Sequence, residues 1–264
     1  MLNLLEEYFN KAMFKAYLYR FFVEYRRGFL GMLILNTVIF FFTTFASGYV
    51  AIYNPLVAYA LGILARELSL PSTVNSYILA FALVLIPLLA IFMASSQASQ
   101  YITTYIKEDI FSSLLEVLSS LYSTKHILGS LLILSIIVSL LCVSTSLLCL
   151  TLLIVVLMVL YKLSPILLLN PICTMLMLLP LPILSSSLAV LTIILFLRVK
   201  TTLISSQLVS LTSSIPGLIL IILGMIFPTS IEHLASAFSI IALTTVLLVW
   251  IIGLKISKRI NLFI

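Results

Sequence analysis

Three cysteines, two histidines and eight carboxylates are the residues of this 264-residue chain that could ligate a metal, attack an electrophile or move a proton. Their spacing supports none of these. Cys142, Cys149 and Cys173 lie in long apolar runs, without the paired spacing of a metal site. His126 and His233 stand apart from them and from any HExxH-type arrangement. Serines are plentiful, but none is spaced with a histidine and a carboxylate as a nucleophile with its base. Within apolar helices, serine usually packs or bonds back to the preceding turn. No GxxxxGK[ST] loop is present, so the chain has no P-loop of its own for ATP. The expectation is a non-enzyme without metal or cofactor and with no nucleic-acid partner.

The elements around these residues follow from composition. With 63% hydrophobic and 8% charged residues and a mean hydropathy of +1.32, the polar surface is too small to coat a water-soluble globule. Lipid must be the solvent, and in lipid only helices or closed barrels pair every backbone group. Uncharged runs such as Phe29 to Tyr53 and Ile78 to Ser96 are continuous rather than alternating, which selects helices. The expected fold is an all-α integral membrane protein with six transmembrane helices, near 29–52, 78–96, 130–153, 172–196, 208–227 and 234–254.

These spans hold no Asp, Glu, Lys, Arg or His, the residues that ion-coupled carriers use within the membrane. Twelve basic residues fall on the side of the chain ends, and only Arg66 and Lys162 on the other. The positive-inside rule then puts both ends in the cytosol of a multi-pass cell (plasma) membrane protein. Between His126 and Arg198 the only charge is Lys162, so two further hairpins, and eight spans, have the same parity. The run Ile127 to Tyr161 lacks turn residues, Pro180 and Pro182 read as kinks, and six spans is the preferred count. Lys162 to Pro171 then forms an external connection near the membrane surface.

Two polar-edged segments remain. In residues 1–28, Leu5, Tyr8, Phe9, Ala12, Met13, Ala16 and Tyr17 recur at helical spacing opposite Glu6, Glu7, Asn10, Lys11 and Lys15, which predicts an amphipathic helix in the lipid interface. Residues 29–264 form one transmembrane domain with a cytosolic loop over 97–129. Within that loop Phe111, Leu114, Leu115, Leu118 and Tyr122 share one helical face, and Asp109, Ser112, Ser113, Glu116, Ser119 and Ser123 the other. Glu108 and Asp109 are expected at the start of this helix, where carboxylates are favourable, and Lys125 and His126 follow its end. Three carboxylates and no basic residue between Glu108 and Leu121 make adsorption to an anionic leaflet unfavourable, which leaves docking into a partner's groove.

Residues 106–130, IKEDIFSSLLEVLSSLYSTKHILGS, resemble the cytosolic loop of permease subunits of type-2 ATP-binding-cassette (ABC) exporters. Glu108, Leu114, Leu115, Leu118, Ser123, Lys125, Ile127 and Gly129 match that family's outline. Ser112 or Ser113 stands where a glycine is frequent, and the proline common near Tyr122 is absent. Residues 1–28 resemble the family's elbow helix, and 198–217 its connection into the fifth span. The resemblance implies a coupling helix from about Asp109 to Leu121, with Glu108, Asp109, Phe111, Leu114, Leu115, Glu116, Leu118 and Lys125 at the ATPase interface. It also implies a separate ABC-type ATPase carrying ATP and Mg, and a second permease copy or homologous permease. The competing expectations are an ATP-independent carrier or channel, which should show repeats or broken polar helices at mid-membrane, and a structural or assembly subunit.

The charge asymmetry makes a topological prediction. With Cys142, Cys149 and Cys173 replaced by Ala, Cys at Arg66 or Lys162 should react with a membrane-impermeant thiol reagent outside intact cells, and Cys at Asn3 or Asn261 only after permeabilisation. Labelling of position 261 from outside reverses the assignment.

Overall fold

The computed structural model describes residues 10–68, 70, 74–111, 118, 121–162, 169–198, 206–226 and 231–257. Among them the chain is helical throughout, without a strand. Its elements are α1 (Lys11–Tyr53), α2 (Pro55–Glu67), α3 (Val74–Ala80), a π-helical turn (Phe81–Leu85), α4 (Ile86–Phe111), α5 (Thr124–Tyr161), α6 (Leu169–Met177), α7 (Pro180–Arg198), α8 (Ser206–Ile226) and α9 (Ile231–Ser257). Five helical runs among the described residues are long and apolar enough to cross a bilayer: Lys11–Tyr53, Asn75–Glu108, Lys125–Tyr161, Asn170–Ile193 and His233–Gly253. The architecture is that of a multi-pass helical membrane protein.

The boundaries differ from the expected ones for identifiable reasons. No break divides an interfacial helix from the first span, because α1 continues unbroken for 43 residues, about 65 Å. The Asn10 side chain caps its start by accepting from the Ala12 and Met13 amides, at 3.1 and 3.0 Å. At its other end Asn54 closes α1 with its backbone N–H on Val50 and opens α2 with its side chain, ahead of Pro55 in the first turn. Of the apolar face expected for residues 1–28, Met13 and Tyr17 are buried while Ala12 and Ala16 are exposed; Leu5, Tyr8 and Phe9 lie outside the described residues.

The second span runs on from α3 into α4 through the π turn. Pro87 cannot donate to the preceding turn and its ring crowds that turn, so the ladder loosens ahead of it: the Ile86 N–H reaches Phe81 O, five residues back. Helix α5 has 38 residues without interruption, which leaves no hairpin between Ile127 and Tyr161. The next run breaks at Leu178 and Leu179, ahead of Pro180 and Pro182. Leu179 and Leu181 donate to Leu176 and Leu178 across the break, at 3.3 and 3.0 Å. The chain bends there rather than reversing, since Asn170–Ile193 is a single apolar span of 24 residues. In α8 the side chains described from Ile215 onward form a shorter apolar stretch, Ile215–Gly224, so the fifth expected span, near 208–227, coincides with a helix of 21 residues but not with a described run long enough to cross.

Helix α4 is the axis. It touches α1, α5, α7 and α8, and 67% of its span's apolar window is buried, against 22% for α1 and 17% for α9. Those two outer helices therefore turn most of their apolar surface to lipid. Close crossings mark the axis: a Cβ on Gly217 of α8 would lie 3.3 Å from the Phe92 Cα, and one on Gly28 of α1 would lie 2.8 Å from the Tyr101 hydroxyl.

Lys162 terminates α5 in the left-handed region, with φ 54° and ψ 45°, its N–H on Met158 O and its side chain exposed. Lys162→Gln should leave the unfolding midpoint in detergent unchanged, and Lys162→Gly should stabilise by about 1 kcal/mol by relieving the Cβ clash. A large loss of folded protein in Lys162→Gln would mark this charge as buried and essential.

Candidate functional site

The polar and aromatic residues that come together do so where the first turns of α1 meet the last turns of α4. On α1, Phe21, Tyr25 and Phe29 repeat every four residues and so share a face. On α4, Tyr101, Tyr105 and Glu108, spaced by four and then three residues, likewise share a face. Their rings interlock: Phe21 stacks on Tyr25 at 5.2 Å between centroids, Phe29 on Tyr101 at 5.4 Å, and Tyr25 meets Tyr101 edge-on at 5.7 Å. Each such pair adds about 0.5–1.5 kcal/mol beyond the area it buries. Polar groups fix the register. Tyr25 Oη donates to Glu108 Oε2 at 2.8 Å, and Tyr105 Oη donates to the Tyr17 carbonyl at 3.2 Å. The Arg20 guanidinium pairs with Glu24 at 2.7 Å and lies 5.1 Å from the Tyr105 ring centre.

Further into the helix pair, a reciprocal amide contact crosses between the same two helices. Gln97 Nε2 donates to Asn36 Oδ1 at 2.7 Å, and Asn36 Nδ2 donates to Ser146 Oγ of α5 at 3.1 Å. Asn36 is fully buried. Between this pair and the aromatic cluster, Tyr25, Met32, Leu35, Gln97, Gln100, Tyr101 and Thr104 line a cleft of about 330 Å³.

A second polar seam joins α5 to α7 and α9. Ser139 Oγ lies 2.7 Å from Ser186 Oγ and 3.0 Å from the Pro182 carbonyl, Ser186 Oγ lies 3.2 Å from the Ser135 carbonyl, and Trp250 Nε1 donates to Ser187 Oγ at 3.3 Å. These hydroxyls tie helices together rather than forming a nucleophile, since neither histidine reaches them: the His126 ring contacts Ser123 at 3.0 Å, and His233 is exposed. Among the described residues no group of three or more metal-ligating side chains converges.

The residues expected at the ATPase interface fall as follows. Glu108 is exposed and held by Tyr25. Glu108, Asp109 and Phe111 belong to α4, the helix that runs on from the second span, and not to the start of a separate helix. Leu114, Leu115 and Glu116 lie outside the described residues. Leu118 is helical and packs half-buried against the core, and Lys125 stands half-buried in the first turn of α5. A search of the spans for charge passes over Asn36, Gln97, Gln100 and Tyr25. The signal that reaches them is the rarity of amides in apolar runs, because an amide in lipid needs a partner.

Compared with family models, curated proteins and solved structures, the chain matches none of them.

The amide pair is testable by a double-mutant cycle. Asn36→Leu and Gln97→Leu should each destabilise, by about 1–3 kcal/mol, because each leaves the other amide buried without its partner. The double variant should cost less than the sum, with a coupling of about 0.6–1.7 kcal/mol read from unfolding in detergent. Strict additivity would show that the two amides do not interact.

Proposed function

We propose that the chain is the permease subunit of a type-2 ABC exporter, pairing with a second permease copy or homologue and driven by a separate ATPase that carries ATP and Mg. The single observation that carries this reading is the loop over residues 106–130, with its acidic start, leucine-rich face, Lys125 and Gly129 entry into α5. In this reading both ends are cytosolic, α8 is the fifth of six spans, and residues from about Asp109 to Leu121 seat in a groove of the ATPase.

The geometry around Glu108 supports it. A thrust on the loop reaches α4 directly, and through the Tyr25 contact it reaches α1 as well. Since α4 also touches α5, α7 and α8, one cytosolic push is shared by most of the bundle. Spans without ionisable side chains also favour an external energy source over ion coupling.

Replacing Leu114 and Leu115 together with Asp removes the apolar face of the loop and leaves the apolar runs untouched. The double variant should insert normally, lose copurification of the ATPase and lose substrate-stimulated ATP hydrolysis in nanodiscs. Full retention of both would remove the coupling role from this loop and with it the main support for the exporter reading.

A further inference from the structure

The cleft between α1 and α4 has one wall that is polar and one that is not. Gln97, Gln100, Tyr101 and Thr104 follow the i, i+3, i+4, i+7 spacing of a single helical face, and Tyr25, Met32 and Leu35 oppose them from α1. Thr104 is four residues from Glu108 and Gln97 eleven, so the polar wall extends from about 6 to about 17 Å beyond the charged end of the helix. The Gln97 amide is engaged by Asn36. Among the described residues no hydrogen bond engages the Gln100 amide or the Thr104 hydroxyl, and Gln100 is exposed. The Gln100 amide and the Thr104 hydroxyl are therefore open to whatever occupies the cleft.

We propose that this cleft binds the headgroup of an amphiphile with an uncharged, hydroxyl-bearing head, such as a monoacylglycerol or glycolipid, whose tail continues along Met32 and Leu35 into the bilayer. Gln100 offers two donors and a carbonyl, and Thr104 one donor and two lone pairs, which suits hydroxyl and ester oxygens. Tyr25 and Tyr101 supply aromatic flanks for the glycerol or sugar. None of the seven lining residues is charged, so a phosphate would lose its hydration without gaining a cation, and anionic lipids are disfavoured. A volume of about 330 Å³ admits a headgroup and a few methylenes, not a whole lipid. The site goes beyond the exporter reading, requiring neither an ATPase nor a second copy, so it can stand or fall separately.

The test uses the full chain alone in phosphatidylcholine nanodiscs, with an alkyl glucoside bearing a diazirine on its first methylene as probe. Photolabelling should concentrate on residues 25–35 and 97–104 and be competed by monoolein, not by equal lysophosphatidic acid. Gln100→Leu with Thr104→Val should lower it roughly tenfold at an unchanged unfolding midpoint; if that pair fails to fold, Gln100→Ala alone should lower it severalfold. Labelling spread evenly over lipid-facing positions such as Phe42 and Leu152, labelling undiminished in the variants, or equal competition by the anionic lipid would overturn the proposal. So would absent labelling accompanied by an intermolecular disulfide in Gln100→Cys, which would put a second copy on this face.

Discussion

In hydrocarbon every polar group needs a partner from the protein itself, and this requirement organises the structure from backbone to side chain. Along the helices several hydroxyls meet it locally. Thr37, Thr43, Ser95, Thr103 and Thr151 each bond back to the carbonyl four residues earlier, which hides the hydroxyl at little cost to the helix. Where proline removes a backbone donor the adjustment is local in one helix and tertiary in the other. The π turn ahead of Pro87 takes up one discontinuity, and Ser139 of the neighbouring helix approaches the Pro182 carbonyl beside the other.

Groups that cannot bond locally must be paired across helices, and those pairings fix how the bundle fits together. Apolar side chains gain little from choosing one another over lipid, so packing, small residues and polar contacts decide which faces meet. Asn36 with Gln97 and Ser146 sets α1 against α4 and α5, while Ser135, Ser139, Ser186, Ser187 and Trp250 set α5 against α7 and α9. A one-residue slip of α1 along α4 would separate both the Asn36–Gln97 amides and the Tyr25–Glu108 pair, so register is specified twice in the same interface. The same interface lines the cleft, so the contacts that set the register also set its shape.

Hydropathy, charge placement and helical periodicity are properties of the chain read in order, and lipid and the membrane's charge asymmetry act on them in that order. For this reason the helical membrane class and the runs able to span were legible in the sequence, while the expected loop over 97–129 is helical up to Phe111 as part of α4. Tertiary structure alone decided the rest. The N-terminal half of α1 is set against α4 by Tyr17 and Phe21 on Tyr105, and Glu108 is held by a tyrosine 83 residues away. Asn36 meets Gln97 and Ser146 across 61 and 110 residues. Contacts at such separations follow from which helical faces adjoin, and a run of similar apolar residues carries almost no record of that choice, because each face is nearly as content with lipid as with another helix.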